Sequence, residues 1–235
     1  MPVLALDTAT LVSSVALATA DTLVAELTLQ TKKTHSELLM PHVAQILDMA
    51  GIKKSELRAV AVSIGPGSFT GLRIGLATAK ALAYALNIPI IGVPTLAAIA
   101  FACPVPGALL APMLDAQKGN VYQALYSWQH GQLTEIESAK VKSLTEALEE
   151  LSIKDKPVIL LGEASTMYSR EIQQTGKSLV LAEPHVIISR AGSLAILSYK
   201  MLSQGITHDV RTLEPLYIRR SEAEVLWEKR HGECV

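Results

Sequence analysis

Aromatic residues are scarce: Phe, Tyr and Trp make up 4% of the 235 residues, although 49% are hydrophobic. A core must therefore be assembled from Ala, Leu, Ile and Val. Cysteine is scarcer still. Cys103 and Cys234 stand far apart, which excludes a disulfide framework and a C-x-x-C metal site and fits a reduced, cytoplasmic protein. Net charge is nearly absent as well, at −1 with a pI near 6.6. No global basic field draws in nucleic acid, so strong RNA binding by this chain alone is not expected. No basic region precedes the first apolar run at Val3, and no signal peptide is read. The most apolar stretch, Leu72 to Ala102, is interrupted by Arg73, Lys80, Asn87, Pro89 and Pro94. It reads as a buried helix–strand–helix run and not as a membrane span.

What is present is an α/β pattern. Val3 to Leu6, Leu11 to Ala18 and Leu23 to Leu29 read as a meander of three strands. Thr34 and Glu37 fit a capping box, opening a helix that runs to about Ala50 and stops at Gly51. Pro41 inside it predicts a kink. Strand 59–64, helix 71–87, strand 90–93 and a short helix over 95–102 follow. Cys103-Pro104-Val105-Pro106-Gly107 is the best linker, dividing the chain into domains 1–104 and 105–235. The second part restarts with strands at 109–115 and 120–126, then a helix at 143–151, a strand at 158–161, and helices near 164–174 and 189–203. Both parts open with hairpin-like strands and continue in helix–strand alternation, the pattern of a duplicated α/β unit.

The densest motif is Gly65-Pro66-Gly67-Ser68-Phe69-Thr70-Gly71 through Gly75, between a buried strand and a helix. Free N–H groups at such a helix start can face an anion. Gly65 and Gly67 permit unusual φ angles, and Ser68 and Thr70 can cap. A capped turn without ligand accounts for the same residues. Asp7, Thr8, Gly65, Gly67, Ser68, Thr70 and Gly71 form the candidate phosphate-facing set. The dinucleotide fingerprint fails because Thr70 stands where its last glycine belongs, and the P-loop fails because Leu72 and Arg73 follow Gly71. Asp7 ends the first strand. Local N–H bonds to a strand-end carboxylate explain it better than a place beside a metal and phosphate.

Other chemistry is poorly represented. His35 and His42 are seven residues apart, so on one helix they lie roughly 10 Å apart and cannot share a metal ion. They read as surface or interface histidines. Ser36, Ser63 and Ser68 lack a G-x-S-x-G elbow and a recognisable base, so proteolysis finds no support. Arg219, Arg220, Lys229 and Arg230 alternate with Glu222, Glu224, Glu228 and Glu233, as a solvated tail does.

Several segments resemble the bacterial TsaB (YeaZ) family of tRNA threonylcarbamoyladenosine biosynthesis proteins. They are Gly65 to Gly75, His35-Ser36-Glu37-Leu38-Leu39-Met40-Pro41, the opening Leu6-Asp7-Thr8-Ala9-Thr10 with Ser14-Val15-Ala16-Leu17, and the tail Pro215-Leu216-Tyr217-Ile218-Arg219. The resemblance spans the chain and is strongest over residues 1–100. It implies two actin-like (ASKHA, ribonuclease H-like) domains, each a mixed sheet with flanking helices. It also implies a non-catalytic partner of a larger paralogue, TsaD, which transfers a threonylcarbamoyl group to adenosine 37 of tRNAs reading ANN codons, with a TsaE ATPase joining the complex.

The catalytic paralogue carries an H-x-x-x-H metal pair. Alignment on Asn87 to Val93 puts those positions near Thr95 and Ile99, neither of which replaces a histidine ligand. No metal site and no cofactor are therefore expected. The family's partner surface maps onto two helices. One carries Leu39, Val43, Ile46, Leu47 and Ala50. The other carries Gly71, Gly75, Ala79 and Ala83 at four-residue spacing, a face that permits close backbone approach. A homodimer through this surface is expected when the partner is absent, with tRNA reached only through the complex and no membrane involved. The rival reading is an autonomous ATP-binding phosphotransferase or ATPase of the same fold. A metalloprotease is weaker, for want of a metal site.

Overall fold

The computed structural model describes residues 1–31, 33–175 and 178–219. Strands β1 (Val3–Asp7), β2 (Val12–Ala18), β3 (Leu23–Gln30), β4 (Ala59–Gly65) and β5 (Ile90–Pro94) form a sheet in the order β3-β2-β1-β4-β5. β1 runs antiparallel to β2 and parallel to β4. Helix α1 (His35–Met49) joins β3 to β4, α2 (Phe69–Leu86) joins β4 to β5, and α3 (Thr95–Phe101) follows β5.

A second sheet repeats this plan. It contains β6 (Leu109–Asp115), β7 (Asn120–Gln129), β8 (Gln132–Ser143), β9 (Val158–Leu161) and β10 (Leu179–Leu181), ordered β10-β9-β6-β7-β8. Its pairings have the same senses, with β6 antiparallel to β7 and parallel to β9. Helix α4 (Leu144–Ser152) lies between β8 and β9. Helices α5 (Glu163–Met167) and α6 (Ser169–Thr175) precede β10, and α7 (Pro184–Ile187) and α8 (Ala191–Ser203) follow it.

Period-two alternation assigns the strand residues to faces. Leu4, Leu6, Val15, Leu17, Val60 and Val62 face α1 and α2, where they meet Leu39, Val43, Ile46 and Leu76. Val3, Ala5, Ala16, Ala18, Ala59 and Ala61 face the other way, against Leu194 and Ala195 of α8. The alanines on that face let α8 approach closely, so a core poor in aromatics still packs densely. Each fully buried Leu or Ile contributes roughly 1.5–3 kcal/mol. In the second sheet Ala111, Met113, Val158 and Leu160 meet α4, α5 and α6. Leu110, Leu114, Ala124 and Leu161 meet Leu96, Ile99 and Ala100 of α3. The closing helices are thus exchanged: α3 follows the first sheet and covers the second, whereas α8 follows the second sheet and covers the first.

Helix ends follow their local signals. The Thr34 N–H donates to Glu37 Oε2 at 3.2 Å, and its hydroxyl donates to the same carboxylate at 2.7 Å. Gly51, at φ +66°, lets the Ile52 N–H reach back to Leu47 O at 3.0 Å, closing α1 in a Schellman turn. The helix continues through Pro41. Helix α2 starts at Phe69, two residues earlier than expected, because Ser68 is its N-cap and accepts the Gly71 N–H at 3.3 Å. Thr70 therefore lies inside the first turn and does not cap. The helix expected near 164–174 is two short helices, α5 and α6.

Strands β8 and β10 and helix α7 have no counterpart in the sequence reading. β8 is a polar edge strand, and the bulges in its pairing with β7 break the alternation that would reveal it. Among the described residues no helix is long and apolar enough to cross a membrane. The charged tail residues Arg220, Glu222, Glu224, Glu228, Lys229, Arg230 and Glu233 lie outside the described residues.

Candidate functional site

A cleft of about 630 Å³ opens between the two sheets. Its near wall is Ala9 to Leu11 and Pro66 to Thr70. Its far wall is Asp115 to Gln117, Tyr122, Glu163 and Met167. Leu216 to Arg219 complete the lining. Of the candidate phosphate-facing set, only Gly67, Ser68 and Thr70 line this space.

Asp7 and Thr8 lie behind the cleft surface, almost fully buried. Asp7 Oδ1 accepts the Ala9 N–H at 3.0 Å and the Ser63 hydroxyl at 2.9 Å, and Oδ2 accepts the Ser189 hydroxyl. This carboxylate is satisfied inside the protein and ties the chain entering α8 to the end of β1. Thr8 donates its hydroxyl to Gly71 O at 2.7 Å, and the Ser68 N–H donates to Ala9 O at 2.7 Å.

The glycines serve the same junction. A Cβ on Gly67 would lie 2.3 Å from Ala9 O, on Gly71 2.1 Å from Thr8 O, and on Gly75 2.3 Å from Thr8 Oγ1. Their shared role is close packing of α2 on the turn after β1. Gly65 is held by a bond from its N–H to Thr95 Oγ1 at 3.1 Å, and a Cβ there would meet Leu216 O at 2.8 Å.

Most residues of the expected partner surface are turned inward in this chain. Leu39, Val43, Ile46, Leu47, Ala79 and Ala83 are buried against the first sheet, with Ala50 packed at their margin. Gly71 and Gly75 are buried as well. Four-residue spacing of small residues reports a close contact without saying what makes it, and here the chain's own sheet and turn make it. The outward faces of the same helices carry Met40, Ala44 and Met49 on α1 and Ala77, Ala81, Tyr84 and Ala85 on α2. Met49 and Tyr84 are 76% and 72% exposed, a high value for apolar side chains placed on adjoining helices.

The histidines are also placed differently. His42 is buried, with Nδ1 3.4 Å from Ser13 Oγ, and burial holds its imidazole below the usual pKa. His35 is half-buried, and its Nε2 lies 2.8 Å from Thr10 O. His35 fixes α1 to the β1–β2 turn, and His42 fixes it to the start of β2.

No sequence motif marks the far wall. Asp115 ends β6 as Asp7 ends β1, and each accepts the N–H two residues on, from Gln117 at 2.9 Å in the second case. Aligning Leu114-Asp115-Ala116 with Leu6-Asp7-Thr8 would have found it. Glu163 stands beside Asp115, and burial followed by the Asp115 charge raises its carboxyl pKa. Gly162, at φ +84°, repeats the tight approach of the first loop, since a Cβ there would meet Met113 O at 2.2 Å. Two carboxylates facing the glycine loop oppose a free polyphosphate. Among the described residues no three His, Cys, Asp or Glu side chains converge as a metal site.

Two sheets of identical strand order, with a cleft between the ends of their first strands, define an actin-like α/β protein. A family model described as TsaD, tRNA N6-adenosine threonylcarbamoyltransferase, matches residues 22–227. The chain is 34% identical to the tRNA threonylcarbamoyladenosine biosynthesis protein TsaB of Bacillus subtilis, covering 97% of this chain and 98% of that protein. It is 33% identical to the TsaB of Escherichia coli over 99% and 100%. A solved structure of YeaZ from Pseudomonas aeruginosa superposes with a TM-score of 0.77 at 25% identity, covering 92% of this chain and 100% of that one. The chain belongs to this TsaD-related family and, within it, to the TsaB proteins.

Proposed function

We propose that this chain takes part in tRNA threonylcarbamoyladenosine formation as a non-catalytic subunit. It binds and activates a TsaD-type transferase that modifies position 37 of tRNAs reading ANN codons. The observation that carries this reading is the state of positions 95 and 99, where the catalytic paralogue has its metal histidines. Thr95 is buried with its hydroxyl accepting the Gly65 N–H, and Ile99 is core. Both positions are given to packing, and neither supplies a metal ligand.

The partner surface is the outward strip of α1 and α2. Its occupant is the TsaD-type paralogue, because a chain of the same fold presents equivalent helices and can pack in pseudo-twofold fashion. A second copy of this chain takes that place when the paralogue is absent. A TsaE-type ATPase joins the assembled pair, and tRNA is engaged by the complex. The division into units 1–104 and 105–235, with α8 returning to the first sheet, belongs to the same proposal.

The test is light scattering on the chain with and without its paralogue, followed by tRNA modification assays. Ala81→Arg and Ala77→Arg should abolish association and modification while changing monomer stability by no more than about 0.5 kcal/mol. Association that survives both changes removes this surface. Tight ATP binding or hydrolysis by the isolated chain would replace the reading with that of an autonomous enzyme.

A further inference from the structure

The segment after α8 does not leave the molecule. His208 pairs with the edge of β5: its N–H donates to Ile90 O at 2.9 Å, and its Nδ1 accepts the Gly92 N–H at 3.2 Å. Leu213 is buried over Gly92, where any added Cβ would lie 2.9 Å from the leucine methyl. The Leu216 N–H then donates to Ile64 O at 2.7 Å. Tyr217 stacks on Phe69 with ring centroids 4.8 Å apart, and its hydroxyl accepts from Arg73 Nε at 3.0 Å. Arg73 in turn lies 3.8 Å from the centroid of Phe69. All these partners belong to the first sheet and its helices. Two residues later the partner changes side, as Arg219 Nη1 donates to Ala116 O in the turn between β6 and β7.

Elsewhere the two sheets are joined covalently through 102–108 and 182–190, the crossings that lead out of α3 and into α8, and non-covalently by the packing of α3 on the second sheet and the Ser189–Asp7 bond. The strap is a further non-covalent connection, and it is set along the cleft lining itself. Opening and closing of two bodies about a cleft is a recurrent switching motion, and a contact that spans the cleft opposes it.

We infer that residues 213–219 are a clasp that fixes the opening of the cleft. Tyr217 is the near anchor and Arg219 the far one. The clasp has two discrete arrangements, closed with Arg219 on Ala116 and open with that bond released. The inference concerns this chain alone and holds whether or not the proposed partner binds.

The test uses the full chain with Cys103 and Cys234 replaced by Ser. Spin labels go on Thr70→Cys, in the near wall, and on Thr166→Cys, an exposed position of α5 beside the far wall. Distances are measured by double electron–electron resonance. The parent should show one narrow distribution. Arg219→Ala and Tyr217→Ala should each broaden it toward longer distances beyond the parental width. Arg219→Lys, which keeps a donor, should restore part of the parental population. The near-ultraviolet circular dichroism of the two Arg219 variants, which keep every aromatic ring, should match the parent, separating opening from unfolding. An unchanged distribution in Arg219→Ala overturns the clasp, even if Tyr217→Ala broadens. Broadening accompanied by lost near-ultraviolet signal in every variant overturns it too, because the strap is then simply part of the core.

Discussion

In the first half, helices of 15 and 18 residues cover one face of the sheet and one of 13 residues covers the other. In the second half the corresponding outer helices have 9, 5 and 7 residues, and the inner face is closed chiefly by the seven-residue α3. Strand order and pairing senses are identical. The difference lies in what the helices do beyond covering the sheet. Long helices bury one stripe and still offer a broad outward face, whereas short ones are consumed by the covering. The first half is thus a platform and the second a wall of the cleft. The turns show the same divergence. The first sheet's turn is cemented by three glycines packed on Thr8 and Ala9, whereas in the second half Gly162 packs on Met113 within β6, with Glu163 left facing the cleft.

The sharpest way to break this comparison is at the glycines. Gly71→Ala places a methyl 2.1 Å from Thr8 O and should cost about 3 kcal/mol, read by urea denaturation. Gly162→Ala meets a similar clash and also a positive φ that a side chain strains, so its loss should be the larger of the two. A tolerated Gly71→Ala would show that the first turn is looser than the second. Next is the docking of α8. Glu26 accepts the Gly192 N–H at 3.0 Å and pairs with Arg190, with its own side chain only 8% exposed. Glu26→Ala should cost about 2 kcal/mol, less than a fully buried pair because Arg190 is partly solvated. Hydrogen exchange should then speed up in α8 before it does in α4.

Smaller effects sharpen the comparison through pH. The His42 pKa is depressed in the fold, so the native state favours neutral imidazole. Its contribution is present above the unfolded value of about 6.5 and is lost as pH falls below it. Stability should decline on acidification through that range, and His42→Gln should flatten the decline. The Glu163 pKa is raised, which is the opposite case for a carboxyl. The folded state resists ionisation, so a penalty grows as pH rises above the ordinary carboxylate value. Glu163→Gln should raise the melting temperature slightly at neutral pH, and the gain should vanish at acid pH. A destabilised Glu163→Gln would mean that the charge has a partner in the cleft.

Much of the first half was legible because its signals are local. The apolar runs of β1 and β4, the Thr34–Glu37 cap and the Gly51 stop each act within a few residues. Ser68 and Gly71 were recognised as special for a sound reason, a glycine-rich helix start. Their structural partner, the Thr8–Ala9 turn, lies some 60 residues away in sequence, and no local pattern names it. The same limit applies to the faces of α1 and α2. Leu39 and Ala79 form a true stripe, yet a stripe does not say whether its cover is a sheet of the same chain or a foreign helix. In the second half, Asp115 is marked only by its match to Asp7 across the two units, Glu163 acquires meaning only from the cleft, and β8 hides behind its bulges.

The exchange of closing helices has a consequence for how the chain is made. As synthesis proceeds from the N-terminus, the first sheet is complete once Pro94 has emerged, but its Val3, Ala5, Ala16, Ala59 and Ile91 face stays bare. The helix that covers it ends at Ser203, about 110 residues later. At 5–20 residues per second, that face waits several seconds or more on the ribosome. The half with the stronger local signals is therefore finished only when most of the protein exists.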